Sequence, residues 1–154
     1  MIGQCRLPMI KRDAASIVTL NAEGLALQLS SEWSQSYVPD SSLFQDPYSV
    51  LTDRNKNRIE VTRVRSGKRG PNFMANPDGT PLPTMTCEVA NGDTGAIWRT
   101  YSVNSPTRGI RYSAYGEVLD ANRKLFKVYV SASSEDERNI LMKLVSDATT
   151  QVRF

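Results

Sequence analysis

The chain has 154 residues, 40% hydrophobic and 23% charged, with 19 lysines and arginines against 16 acidic side chains and no histidine, for a formal net charge of +3. That length suits one domain burying roughly 70% of its unfolded surface, and no apolar run nears the ~18 residues of a membrane-spanning helix. Without histidine the commonest general base, the commonest metal ligand and every Ser-His or Cys-His nucleophile pair are gone.

The opening MIGQCRLPMIKRDAAS carries a charge and a proline in its first eight residues and no apolar stretch of leader length. It predicts a cytoplasmic protein with residues 1–15 as a flexible N-terminal segment, or a periplasmic one if an export leader has been trimmed. Cys5 and Cys87, 82 positions apart, match no metal spacing. A core of this size needs no disulfide, so both are expected as free structural thiols.

In SIVTLNAEGLALQL (16–29) two short strands flank a turn at NAEG, and Leu25, Leu27 and Leu29 alternate as in a half-buried strand. Trp33 follows as a core anchor. The stretch SQSYVPDSSLFQDPY, broken by Pro39 and Pro47, reads as loop with at most one helical turn. Strand character resumes at YSVLT and NRIEVTRVR. TMTCEVA and AIWRTYSV around NGDTG, then GIRYSAYGEVL and KLFKVYV around DANR, predict an antiparallel meander.

Near the end, SSEDERNILMKLVSDATTQV spaces Ser134 and Glu137 as a capping box, with acidic residues in the first turn where the helix dipole favours them. Ile140, Leu141, Leu144, Val145 and Ala148 form one apolar stripe, which must lie on something. The expected fold is therefore α+β: an antiparallel sheet of about seven strands with the C-terminal helix packed on one face.

Candidate chemistry is thin. SGKRGPN lacks the full spacing of a phosphate loop and a helix after it. Asp53, Asn55 and Asn57 alternate like the first ligands of a calcium loop, but Arg58 stands where glycine is needed and Val64 where the bidentate glutamate should be. An asparagine-rich turn is the plainer reading. Asp40, Asp46, Asp53, Asp93 and Asp120 all have turn-like contexts, and no spacing forces two of them together. No catalytic residue, metal site or cofactor is expected, and the chain reads as a non-enzyme.

The basic window is the strongest local feature. Residues 54–69 hold Arg54, Lys56, Arg58, Arg63, Arg65, Lys68 and Arg69 against Glu60 alone, leaving +6 here and −3 elsewhere. Strand periodicity puts Arg63 and Arg65 on one face with Ile59 and Val61, where they could simply protect a sheet edge. That does not explain Lys68, Arg69 or the long proline- and glycine-rich loop at 66–83. A partner-binding loop does: Arg63, Arg65, Lys68 and Arg69 steer an acidic protein partner, and Phe73 and Met74 serve as anchors. The alternative is nucleic acid, bound by the 54–69 cations with Tyr101, Tyr112, Tyr115 and Tyr129 brought to one sheet face.

The run GLALQLSSEW near the start and KLFKVYVSASSEDERNILMKLVSDATTQVRF at the end resemble the family of PsbP, DcrB and Mog1-like domains. In that family a glycine-led strand runs into a tryptophan, and a last strand feeds a helix that packs back on an antiparallel sheet. The matching positions are Gly24, Leu25, Leu27, Trp33, Phe126, Val128, Tyr129, Leu141 and Leu144, in structural roles. The resemblance implies a non-enzymatic binding module such as the adaptor-chaperones of bacterial secretion systems. Small size and the lack of chemistry add bacterial immunity proteins as a related class.

Overall fold

A computed structural model of the chain describes residues 3–9, 17–38, 48–63, 85–91, 94–107 and 109–149. The elements run β1 (Ile17–Ala22), β2 (Leu25–Ser30), β3 (Ser34–Val38), β4 (Tyr48–Thr52), β5 (Arg58–Arg63), β6 (Met85–Asn91), β7 (Thr94–Ser105), β8 (Gly109–Leu119), β9 (Leu125–Ala132) and α1 (Glu135–Ala148). Seven strands form one antiparallel sheet in the order β3-β4-β5-β9-β8-β7-β6, while β1 and β2 pair only with each other. The α+β architecture is the expected one. Its membership is not: β3 belongs to the sheet, and the hairpin β1–β2 is a separate layer.

The sequence reading misses β3 for a physical reason. SQSY alternates no apolar residues, and all four side chains are exposed. Backbone pairing to β4 holds it, helped by Gln35, whose Nε2 donates to Asn21 O at 2.7 Å and Ser49 Oγ at 3.3 Å. Such a strand needs a neighbour, not a hydrophobic period.

The hairpin turns through Glu23 and Gly24, both with positive φ (57° and 107°), which suits the twist of a two-residue loop. Asn21 Oδ1 accepts from the Gly24 N–H at 2.8 Å. Leu25, Leu27 and Leu29 are buried as the alternation requires, and Trp33 packs partly buried against the core.

The meander β6–β9 forms as read, and β9 then pairs with β5 as the central strand. Phe126, Val128, Val130 and Ala132 of β9 are fully buried, facing the hairpin and helix. Ser134 caps α1, its hydroxyl accepting from Glu137 N at 3.1 Å. The reciprocal half of the expected capping box is absent: Glu137 Oε1 instead accepts from Ser133 Oγ at 3.4 Å.

The buried stripe of α1 is also rotated from the expected one. Leu141, Met142, Val145, Ser146 and Ala148 are buried, Leu144 is partly so, and Ile140 is exposed. Ser146 explains the rotation. Its hydroxyl accepts from the indole N–H of fully buried Trp98 at 3.1 Å, so a polar residue faces the core with its partner in place. Opposite Trp98 in the register is Gly116, whose hydrogen leaves room for the ring. At the helix end, Thr149 O accepts from Ala121 N at 2.9 Å and ties α1 to the β8–β9 turn.

Residues 3–9, inside the stretch read as flexible, run beside the outer edge of β6. Cys5 N donates to Glu88 O at 2.8 Å and Glu88 N to Gly3 O at 2.9 Å, a short parallel bridge. This brings Cys5 to Cys87, their Cα atoms 4.9 Å apart, and the two are joined by a disulfide. The expectation of free thiols is therefore corrected. Sequence separation carries no trace of a strand added from the far end of the chain.

Candidate partner-binding surface

Four cations of the basic window lie among the described residues, and they diverge. Arg54 and Lys56 occupy the β4–β5 turn. There Asp53 Oδ1 accepts from the N–H groups of Asn55 and Asn57, each at 2.9 Å, and Lys56 takes a positive φ of 62°. The β8–β9 turn repeats the device: Asp120 Oδ1 accepts from Asn122 N at 3.0 Å and Lys124 N at 2.8 Å, with Arg123 at φ 62°. Two stretches of the form Asp-x-Asn-basic-x thus make the same turn, a local likeness the sequence reading passed over. The aspartates at both places organise backbone and do not form an acid–base pair.

Arg58 and Arg63 open and close β5, roughly 17 Å apart at the usual strand rise. Arg63 stands with Ile59 and Val61 on the helix-side face, as the alternation predicts, opposite Phe126 in the register. Arg58 points the other way and pairs with Glu60 at 3.1 Å. Arg65, Lys68, Arg69, Phe73 and Met74, the loop 66–83, and Asp40, Asp46 and Asp93 lie outside the described residues.

What the fold does assemble is a row across the reverse face of the sheet, the side away from α1 and the hairpin. The register aligns Arg99, Tyr115, Tyr129 and Glu60 on four neighbouring strands. Beside this row are Tyr101, Ser113 and Arg58, and Ser113 Oγ lies 3.3 Å from Tyr129 Oη. Tyr101, Tyr115 and Tyr129 share a face as expected. Tyr112 does not: it stands one residue out of phase, on the helix side opposite Ala132. Exposed Ile97 lies on the next rung, opposite Glu117, and exposed Leu125 one rung further out, opposite Leu119.

Arg111, which sequence reading missed, stiffens one end of this face. Its Nε donates to Ser131 Oγ at 3.1 Å and its Nη2 to Lys56 O at 2.7 Å, joining β8, β9 and the β4–β5 turn while it is itself buried. Buried Glu60 was equally silent in the sequence, because alternation alone does not say which polar face will be covered.

Burial disfavours the phenolate of Tyr101, with Tyr129, Glu60 and Tyr115 adding to the effect, and holds its proton far above the ordinary range. Tyr115 is pushed up to about 12, by burial first and then Glu117, with Arg99 opposing. The folded chain therefore keeps the Tyr115 proton where the unfolded chain, with an ordinary tyrosine pKa of 10.0, loses it. Stability from this group is full below pH 10 and falls as pH rises towards 12. Alkaline unfolding followed by circular dichroism should show this fall, and Tyr115→Phe should make it shallower, leaving the part that Tyr101 contributes.

No known protein-family model matches the chain, and none of the curated proteins compared with it is similar.

Proposed function

We propose that the protein is a non-catalytic protein-binding module that takes an acidic partner on the reverse face of its sheet, aided by the basic segment that follows Arg63. The observation that carries this reading is the cross-strand row of Arg99, Tyr115 and Tyr129 with exposed Ile97 on the next rung. Tyrosine and arginine beside apolar contacts are what protein interfaces concentrate at their energetic centres, and a sheet presents them on a rigid surface. The +6 window supplies long-range attraction for an acidic surface. An immunity or secretion-adaptor role, neutralising or carrying one partner protein, needs no more than this.

The nucleic-acid alternative draws less support from the described residues. Arg58 is paired with Glu60, Tyr101 is too buried to stack on a base, and Arg54 and Lys56 are a strand's length from Arg63. Of the two compartments, the Cys5–Cys87 bridge favours the periplasm, since disulfides persist in oxidising surroundings.

The test is capture of host proteins on immobilised protein, with and without nuclease. One protein should be retained in near-equal amount despite nuclease. The variants Arg99→Glu and Arg63→Glu/Arg65→Glu/Lys68→Glu/Arg69→Glu should each retain at least tenfold less, with thermal unfolding nearly unchanged. Retention that nuclease abolishes and moderate salt releases would transfer the function to nucleic acid.

A further inference from the structure

The disulfide-linked N-terminal segment does more than extend the sheet. Between it and α1, above β6 and β7, lies a cleft of about 330 Å³ with the Cys5–Cys87 bridge in its wall. Its size is at the small end of ligand cavities. Two arginines line it, Arg6 from the segment and Arg138 near the start of α1, and no acidic residue is among the described residues lining it. Leu7, Met85 and Met142 give it an apolar side, and the methionines can adapt to a ligand's shape.

Arg138 has capacity to spare. Its Nε and Nη2 both donate to one neutral acceptor, Asn139 Oδ1, at 3.3 and 3.2 Å. Burial works against its charge, lowering its proton affinity, while Glu135 and Tyr112 pull the other way. A half-buried cation whose hydrogen bonds go to an amide gains from an anion that can take its planar fork.

We infer that this cleft binds a small amphipathic anion, a carboxylate carrying a short alkyl body, with Arg138 and Arg6 on the carboxylate and Leu7, Met85 and Met142 along the chain. The site is separate from the reverse face of the sheet, so it stands or falls independently of the protein-binding reading.

Octanoate is the probe, with 1-octanol as its neutral counterpart, followed by titration calorimetry and amide chemical shifts on the disulfide-intact protein. Octanoate should saturate one site, with shifts confined to residues 3–7, β6, Thr100 and the first half of α1. Octanol should bind at least tenfold more weakly, and Arg138→Gln should weaken octanoate at least tenfold while thermal unfolding stays unchanged. Arg6→Gln, at an exposed position, should weaken it severalfold and decides the matter if Arg138→Gln does not fold. Equal binding of octanol, failure to saturate, or shifts mapping to Tyr115 and Tyr129 would overturn the assignment.

Discussion

Replacing Gly116 by alanine should destabilise the protein by about 2–3 kcal/mol, roughly 4–12 °C in Tm for a chain of this size. The backbone alone would argue the reverse, because Gly116 is not among the residues with positive φ and alanine restricts the unfolded chain. The clash decides. A Cβ at position 116 would come within 2.7 Å of two ring carbons of Trp98 and 3.0 Å of a third. The indole cannot retreat cheaply, since it is fully buried and its N–H is committed to Ser146 on α1. Moving the ring would break that bond and leave a buried hydroxyl and N–H unpaired.

The same contact gives the prediction an internal control. Trp98→Leu alone should cost several kcal/mol through lost packing, but in that background Gly116→Ala should cost far less. The two changes should therefore be strongly non-additive in a double-mutant cycle read by denaturant unfolding. A Gly116→Ala variant as stable as the parent would mean that the Trp98 side chain can shift without loss.

The parts of the fold legible in the sequence are those whose cause is local. Leu25, Leu27 and Leu29 announce β2 because one face is buried, and Ser134 announces the start of α1 because capping acts over three residues. The meander is readable because each turn lies between its own two strands. What escaped has a distant cause. β3 is a strand only because β4 is beside it, and Ser146 is buried only because Trp98 arrives from β7.

The candidate surface follows the same division. That Tyr101, Tyr115 and Tyr129 share a face could be read by counting residues from strand to strand, though the count misplaced Tyr112. Arg99 and Glu60 joined them through register alone, which no single strand encodes. The basic window looked continuous in sequence, yet alternate residues of β5 leave on opposite faces, so Arg58 and Arg63 serve different surfaces. Linear charge density is thus a poor guide to a patch when the charges sit on a strand.

Reducing the Cys5–Cys87 bridge should cost more than any surface change. The bridge closes a loop across 82 positions, for which loss of chain entropy in the unfolded state is worth roughly 4.5 kcal/mol, with measured values more often about 2–4 kcal/mol. Without it the N-terminal segment would rest on two backbone hydrogen bonds at the β6 edge, an exposed bond from Gln4 Nε2 to Glu88 Oε1 at 3.3 Å, and the partial burial of Cys5 and Leu7. That is too little to offset the entropy of ordering seven residues. Two effects should follow together: Tm falls on adding reductant, and the Glu88 amide, which donates to Gly3 O, exchanges as fast as an open edge. Cys5→Ser, Cys87→Ser and the double variant should all show the same loss, because each removes one and the same bond. Amides of β9 and α1 should stay protected under native conditions, since their partners lie elsewhere in the fold. Octanoate binding should vanish in parallel, because a released segment takes Arg6 and Leu7 away from the cleft. Unchanged Tm and Glu88 exchange after complete reduction would show that the segment is held by contacts other than the bridge.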